Sequence, residues 1–329
     1  MNRYSQVAKK RGEIMELFLT TFDMVMPMFA IVLVGYIIRL KGLIPTGVAM
    51  QLNNFCFRAL IPCLLFKSAL NVTFDIEYLW LFLFFAFSVA VSVPVLCVIA
   101  KRFIPDGRQA GAFVQTCFRT NVGIIGIGMM ESACGSENIA PMVIIVATST
   151  FLFNVAGITE MTYFSGSEAG NSLSFKKLVT ELIKSPMVIS AFAGLLVAVS
   201  GIQIPAIVMK PISDLSACCM PVAMLTIGMR LDFGSITGNR KIIGMATLIK
   251  MVIMPLVWTL IAYAVGFRGY TLCAVFFEKS STTISIAPAI AEAYGCDGKI
   301  TGEILITQTA VAFVTIFIGV YLLQYFRVF

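Results

Sequence analysis

The sequence predicts an all-α polytopic membrane protein: ten transmembrane helices forming an inverted 5+5 repeat, with broken, crossing helices four and nine. Three observations carry this expectation. Of 329 residues, 59% are hydrophobic and 12% charged, with a mean hydropathy of +0.93, whereas a soluble domain is about 25% charged. The two halves match each other at an offset of 159 to 161 residues. Polar and helix-weakening residues also interrupt two apolar runs at equivalent places in those halves. A membrane span needs roughly 20 apolar residues, so ten of them with short loops occupy nearly all of the chain and leave no room for a soluble domain.

Residues 1–21 read as an amino-terminal tail, and residues 22–160 as the first five-helix repeat. Span one covers 22–40 and gives way to Gly42-Leu43-Ile44-Pro45. Span two, 48–69, carries Gln51, Asn53 and Asn54, then Pro62, where a kink is expected. Span three, 77–101, contains Pro94. Span four, 109–133, holds Phe118-Arg119-Thr120-Asn121-Val122-Gly123 and then Gly126 and Gly128. Span five, 138–160, carries Thr148-Ser149-Thr150. Residues 161–184 form the longest loop, placed in the cytoplasm. There Phe175, Leu178, Val179, Leu182 and Ile183 recur at helical spacing, which fits a helix in the membrane interface or a solvated linker.

The second repeat occupies residues 185–329. Span six, 185–201, begins at Pro186 and gives way to Gly201-Ile202-Gln203-Ile204-Pro205. Span seven, 206–230, has Ser213, Asp214 and Ser216 before Pro221. Span eight, 240–266, contains Pro255. Span nine, 268–294, holds Phe277-Glu278-Lys279-Ser280-Ser281-Thr282-Thr283 and Pro288. Span ten, 301–326, carries Thr307-Gln308-Thr309.

These marks align in order: Pro27 with Pro186, Pro62 with Pro221, Pro94 with Pro255, Asn121 with Ser280, and Gly135 with Gly295. Apolar composition alone does not put prolines in register so often. Each half has an odd number of spans, so the second must enter the membrane from the opposite side. Two similar halves of opposite hand can present one central site to either side in turn, which points to a carrier.

Cytoplasmic loops hold the excess of lysine and arginine. With the amino terminus outside, the inward loops hold twelve such residues and the outward side four, the first fourteen residues apart. Both termini are therefore expected outside the plasma membrane. Arg3, Lys9, Lys10 and Arg11 oppose that orientation, and initiation at Met15 would remove them.

The chain has no histidine, which excludes histidine triads and histidine proton relays, and its nine cysteines form no CxxC pair. No catalytic, metal or cofactor site is expected, and no nucleic-acid partner, since the formal charge of +7 reflects cytoplasmic loops in contact with a lipid bilayer. Backbone that leaves a helix at mid-membrane is tolerated only when buried in protein or lining a wet cavity. Half-helices that begin there direct N–H groups and partial positive charge inward, which suits an anion. Asn121, beside Gly123, would donate its amide to a substrate oxygen, and Ser280, Ser281 and Thr282, ahead of Pro288, would offer hydroxyls; equally, these groups would satisfy the broken backbone. Charges at that depth cost about 2.5–3.5 kcal/mol each. Arg119, Glu278 and Lys279 therefore pair with one another, serve anion attraction and coupling to H+ or Na+, or snorkel to water from the helix edge. Asn53, Asn54 and Asp214 form matched polar patches in spans two and seven, facing the cavity or joining helices.

Taken together, Gly35-Tyr36 with Gly42-Leu43-Ile44-Pro45, Leu60-Ile61-Pro62-Cys63-Leu64-Leu65-Phe66, Asn121-Val122-Gly123 through Gly126, and Pro221 through Gly228 resemble the auxin efflux carrier family, from about residue 20 to the end. That family includes bacterial malate and malonate permeases. The resemblance implies a scaffold of helices 1, 2, 6 and 7 and a mobile transport domain of helices 3–5 and 8–10. It also implies a carboxylate substrate at the helix 4/9 crossing, with Asn121 matching the family's asparagine, and a scaffold-to-scaffold homodimer. The first interruption has glycines where plant exporters have proline, so auxin specificity does not carry over. The expectation is a secondary transporter of small organic anions working by alternating access. A sodium/proton antiporter or sodium-coupled organic-anion symporter of similar fold is the rival, and a membrane-embedded enzyme a more distant one.

Overall fold

The computed structural model describes residues 3–70, 76–166, 186–326 and 328. The described residues are helical, with no strand among them. The helices are α1 (Arg3–Leu40), α2 (Thr46–Phe55), α3 (Ile61–Ala69), α4 (Ile76–Phe103), α5 (Gly107–Phe118), α6 (Ile127–Cys134) and α7 (Ala140–Ser165) in the first half. The second half has α8 (Pro186–Ser200), α9 (Ala206–Arg230), α10 (Arg240–Leu248), α11 (Met254–Val265), α12 (Gly269–Ser280), α13 (Ala287–Ala293) and α14 (Gly298–Tyr325). Among the described residues, seven continuous helical stretches are long and apolar enough to cross a membrane: Ile14–Leu40, Gly47–Ala69, Ile76–Phe103, Ala140–Ser165, Ala206–Arg230, Arg240–Val265 and Gly298–Tyr325. Their outer faces expose Phe87, Val98, Ile207 and Leu256, the surface that hydrocarbon rather than water accepts.

Two boundaries differ from the sequence expectation. Helix α1 begins at Arg3 rather than near residue 22 and runs through Pro27 without a break. Helix α7 runs to Ser165, five residues past the expected end. The amphipathic segment expected between Phe175 and Lys184 lies outside the described residues.

The prolines are accommodated in two ways. Pro62 and Pro255 each follow a wide π turn, Cys56–Leu60 and Ile249–Ile253. Proline clashes with the carbonyl four residues earlier, here that of Arg58 or Met251, and both carbonyls lie in the widened turns. Pro221, where a kink is expected as at Pro62, sits inside the continuous helix α9, as Pro94 does inside α4.

Packing places the helices in two groups that meet where α1 lies against α14. Helix α9 lies along α1 and against α2 and α3, and α8 packs on α3. Helices α4, α5 and α7 pack together, as do α11 with α12 and α14 with α10 and α13; α12 also touches α7. Within the first group, Gly35 of α1 lies directly under the Leu225 carbonyl of α9, and Gly194 of α8 lies under the Phe66 carbonyl of α3. Gly35 and Gly194 are 159 residues apart, and so are Phe66 and Leu225. The backbone of matched turns agrees too: Gly42 and Gly201 have φ of 63° and 67°, Gly135 and Gly295 of 85° and 79°. A Cβ at Gly35 would collide with backbone, so Gly35→Leu is expected to cost about 1–3 kcal/mol by overpacking. Gly244→Ala, in open space inside α10, should be neutral or stabilising by up to about 1 kcal/mol. Thermal unfolding in detergent checks both.

Candidate functional site

Helix α5 ends at Phe118, which stacks edge-on against Phe153 of α7 at 5.8 Å, and Phe153 meets Phe85 of α4 at 5.7 Å. Arg119 is extended (φ −74°, ψ 132°), and the chain resumes as a π turn over Val122–Gly126 before α6. The β-branched and glycine residues of this stretch are poor helix formers. Helix α12 ends at Ser280, Ser281 is extended (φ −67°, ψ 141°), and α13 restarts with Pro288 in its first turn, a position where the missing N–H costs nothing. Hydroxyl side chains that compete for backbone groups fill the gap.

The two interruptions touch. The Asn121 N–H donates to the Thr282 carbonyl at 2.7 Å, and the Thr120 hydroxyl donates to Glu278 Oε1 at 3.1 Å. Gln308 of α14 joins them from one side: its Oε1 accepts the Thr283 N–H at 3.0 Å, and its Nε2 donates to the Thr116 carbonyl at 3.1 Å. From the other side, Arg230 Nη2 at the end of α9 donates to the Ser285 carbonyl at 2.7 Å.

Asn121 is 1% exposed, and neither its Nδ2 nor its Oδ1 has a hydrogen-bond partner. A buried amide of this kind carries a desolvation penalty of about 1–3 kcal/mol. The expected helix-end donors behave differently. The N–H groups of Ile124 and Ile125 donate to the Asn121 carbonyl at 3.3 and 2.9 Å, so they are taken, and α13, at seven residues, is short. The serine hydroxyls are engaged as donors: Ser280 to the Phe276 carbonyl, Ser281 to the Phe277 carbonyl, and Thr282 to the Thr283 carbonyl. Their lone pairs remain. Gly123 has side-chain room beside Ile61, where an added Cβ would lie 3.8 Å from Cδ1, and Pro288 faces Gly302 of α14.

The charges are buried rather than snorkelling: Arg119 is 8% exposed, Glu278 1% and Lys279 3%. Glu278 pairs with its own neighbour, Lys279 Nζ lying 3.0 Å from Oε2. Lys279 also donates to Ser88 Oγ at 2.8 Å and sits over the rings of Phe85 and Trp258. Arg119 Nη2 turns to Asn154 Oδ1 at 2.7 Å. Of the patches in spans two and seven, Asn53 is buried with both amide atoms unpartnered, while Asn54 and Asp214 are exposed.

Two cavities of about 20 Å³ each flank Thr282 and share Ile227 and Thr309 with it. One is lined in addition by Arg230 and Ser285, and the other by Met28, Val32 and Met129. Each has room for about one water molecule. Arg230 Nη1 is buried and without a partner. Sequence reasoning passed over Arg230 as a loop cation. It passed over Lys250 too, although a lone lysine amid the apolar run 242–265 was a visible signal.

A family described as membrane transport protein matches residues 20–320 of the chain. An uncharacterized transporter of Methanothermobacter thermautotrophicus is 22% identical over 316 residues, covering 91% of this chain and 97% of the relative. A second uncharacterized transporter, from Methanocaldococcus jannaschii, is 22% identical over 301 residues, covering 87% and 94%.

Proposed function

The chain belongs to the membrane transport protein family, that of the auxin efflux carriers, and on that premise we propose that it is a secondary transporter of small carboxylates such as malate and malonate, working by alternating access in the plasma membrane. In this reading ten spans form an inverted 5+5 repeat, with both termini outside. Spans four and nine cross at Asn121 and Thr282. Spans one, two, six and seven are the scaffold, and three to five with eight to ten move against it. The two packing groups support this division, and the equal 159-residue separations of Gly35 from Gly194 and of Phe66 from Leu225 support the repeat.

The observation that carries the proposal is the Asn121 amide, fully buried and unpartnered where the two interruptions meet. A carboxylate oxygen would satisfy it. Arg230 supplies the complementary charge: one guanidinium arm holds Ser285 and the other is free. Arginine's planar fork suits carboxylates. Because α9 would belong to the scaffold and Ser285 to the moving part, this contact would break and re-form as access alternates. On this reading cavities this small would belong to a closed state, which would have to open before an organic acid enters.

The test is uptake of labelled malonate, malate and lactate into proteoliposomes, with and without imposed ion gradients. Carboxylate uptake is expected, and Arg230→Gln should raise the KM for malonate about tenfold or more, the effect of losing one hydrogen bond to a charged group. Ion flux without organic solute would replace this reading with an antiporter.

A further inference from the structure

Lys250 lies in the π turn Ile249–Ile253, midway along the apolar stretch Arg240–Val265, and is 0% exposed. Its Nζ has no hydrogen-bond partner. The turn packs against α5, α12 and α14. The ionisable groups on the packed helices whose charges bear on the amine are Glu278 and Lys279 of α12 and Cys117 of α5.

Each of these is committed elsewhere. Glu278 is held by Lys279 and Thr120, Lys279 also by Ser88, and the Cys117 thiol donates to the Ala246 carbonyl at 3.8 Å. The ionisable groups in the first turns of α14 are Lys299, which is exposed, and Glu303, whose oxygens accept the N–H groups of Thr237 and Gly238.

A buried ammonium without a counter-ion is strongly disfavoured, and an amine in the membrane interior marks function by default. Wide turns inside helices also recur at functional sites. The amine is linked to the substrate position through packing: its turn lies against α5 and α12, the two helices that end at Phe118 and Ser280, where the interruptions begin. A positive charge on Lys250 is therefore more favoured when a carboxylate sits at Asn121 than when that position is empty, while the amine still binds and releases protons as pH changes.

We propose that Lys250 is the proton-binding site of the carrier. Resting on the transport reading above, the amine takes one proton from water as the anion enters, and the resulting ammonium balances the carboxylate in the closed state. It returns that proton to water on the side where the acid leaves, so one proton accompanies one negative charge of substrate.

The experiment is electrical recording from proteoliposomes adsorbed on a sensor electrode. A pH jump with no organic acid present should give a charge transient in the wild-type protein. Lys250→Met should lose it, and Lys299→Met, at an exposed lysine, should keep it. Lys250→Met should also melt at a higher temperature than wild type, since it fills the same space without an unpartnered amine. Lys250→Gln serves as a second variant if the methionine variant does not fold. In the same vesicles, a malonate gradient should drive proton movement in wild type, whereas Lys250→Met should exchange labelled malonate without it. An undiminished transient in Lys250→Met, or none in wild type, overturns the assignment. If wild type moves no carboxylate while the Lys250-dependent transient persists, the substrate reading falls and the proton site stands.

Discussion

Lys279→Met is expected to lower stability by about 3–5 kcal/mol, the usual cost of removing one member of a buried ion pair. The Glu278 carboxylate, 1% exposed, would keep only the Thr120 hydroxyl. The reverse change should be milder. In Glu278→Gln, Lys279 would retain Ser88 and the faces of Phe85 and Trp258, and a cation over an aromatic ring recovers about 0.5–2 kcal/mol. The double variant Glu278→Gln/Lys279→Met has no charge left to strand, so it should lie closer to wild type than Lys279→Met alone. Thermal unfolding of the four proteins in detergent forms the cycle that measures this coupling. Strictly additive losses would mean that the two side chains act independently and that the pair does not hold the helix end at its break.

That pairing marks the limit of what the sequence made legible. Both interruptions were readable because they depend on local composition: Val122, Gly123 and Gly126 in one, the run Ser280 to Thr283 in the other. The polar groups that share the site's depth were readable for the same reason. Azimuth and partner choice were not. Glu278 could have met Arg119 across the interruptions, but Lys279 is adjacent in the chain and α12 leaves Oε2 within 3.0 Å of it, while Arg119 turns to Asn154. For the serines the sequence left substrate contact and satisfaction of the broken backbone equally open; here their hydroxyls donate to carbonyls four residues back, a bond available to any serine in a helix. Asn53 and Asn54 are neighbours in sequence, yet one is buried and the other exposed, a 100° turn of the helix that composition does not report. The stretch before residue 22 reads as a tail because it precedes the first apolar run, yet it is helical from Arg3, and the end of an apolar run is not the end of a helix.

Asn121→Ala should separate activity from stability more cleanly than any other change in this chain. In this structure the backbone of Asn121 does the structural work: its N–H holds the Thr282 carbonyl, and its carbonyl accepts from Ile124 and Ile125. The side-chain amide holds nothing. Truncating it removes no bond and relieves a buried amide of its desolvation cost, so the melting temperature should stay level or rise. Transport should fall, because a hydrogen bond to a charged carboxylate contributes about 1.5–3 kcal/mol, which is roughly 10- to 100-fold in carboxylate affinity. Asn121→Asp sharpens the test. It keeps the shape but sets a carboxylate against a carboxylate in a site with little water, so uptake should be abolished at neutral pH while the protein still inserts and purifies as a monodisperse species. Uptake kinetics in proteoliposomes, read beside the melting curves, decide the matter. If Asn121→Ala loses stability and keeps its KM, the amide is a packing element of the interruptions and the substrate binds elsewhere.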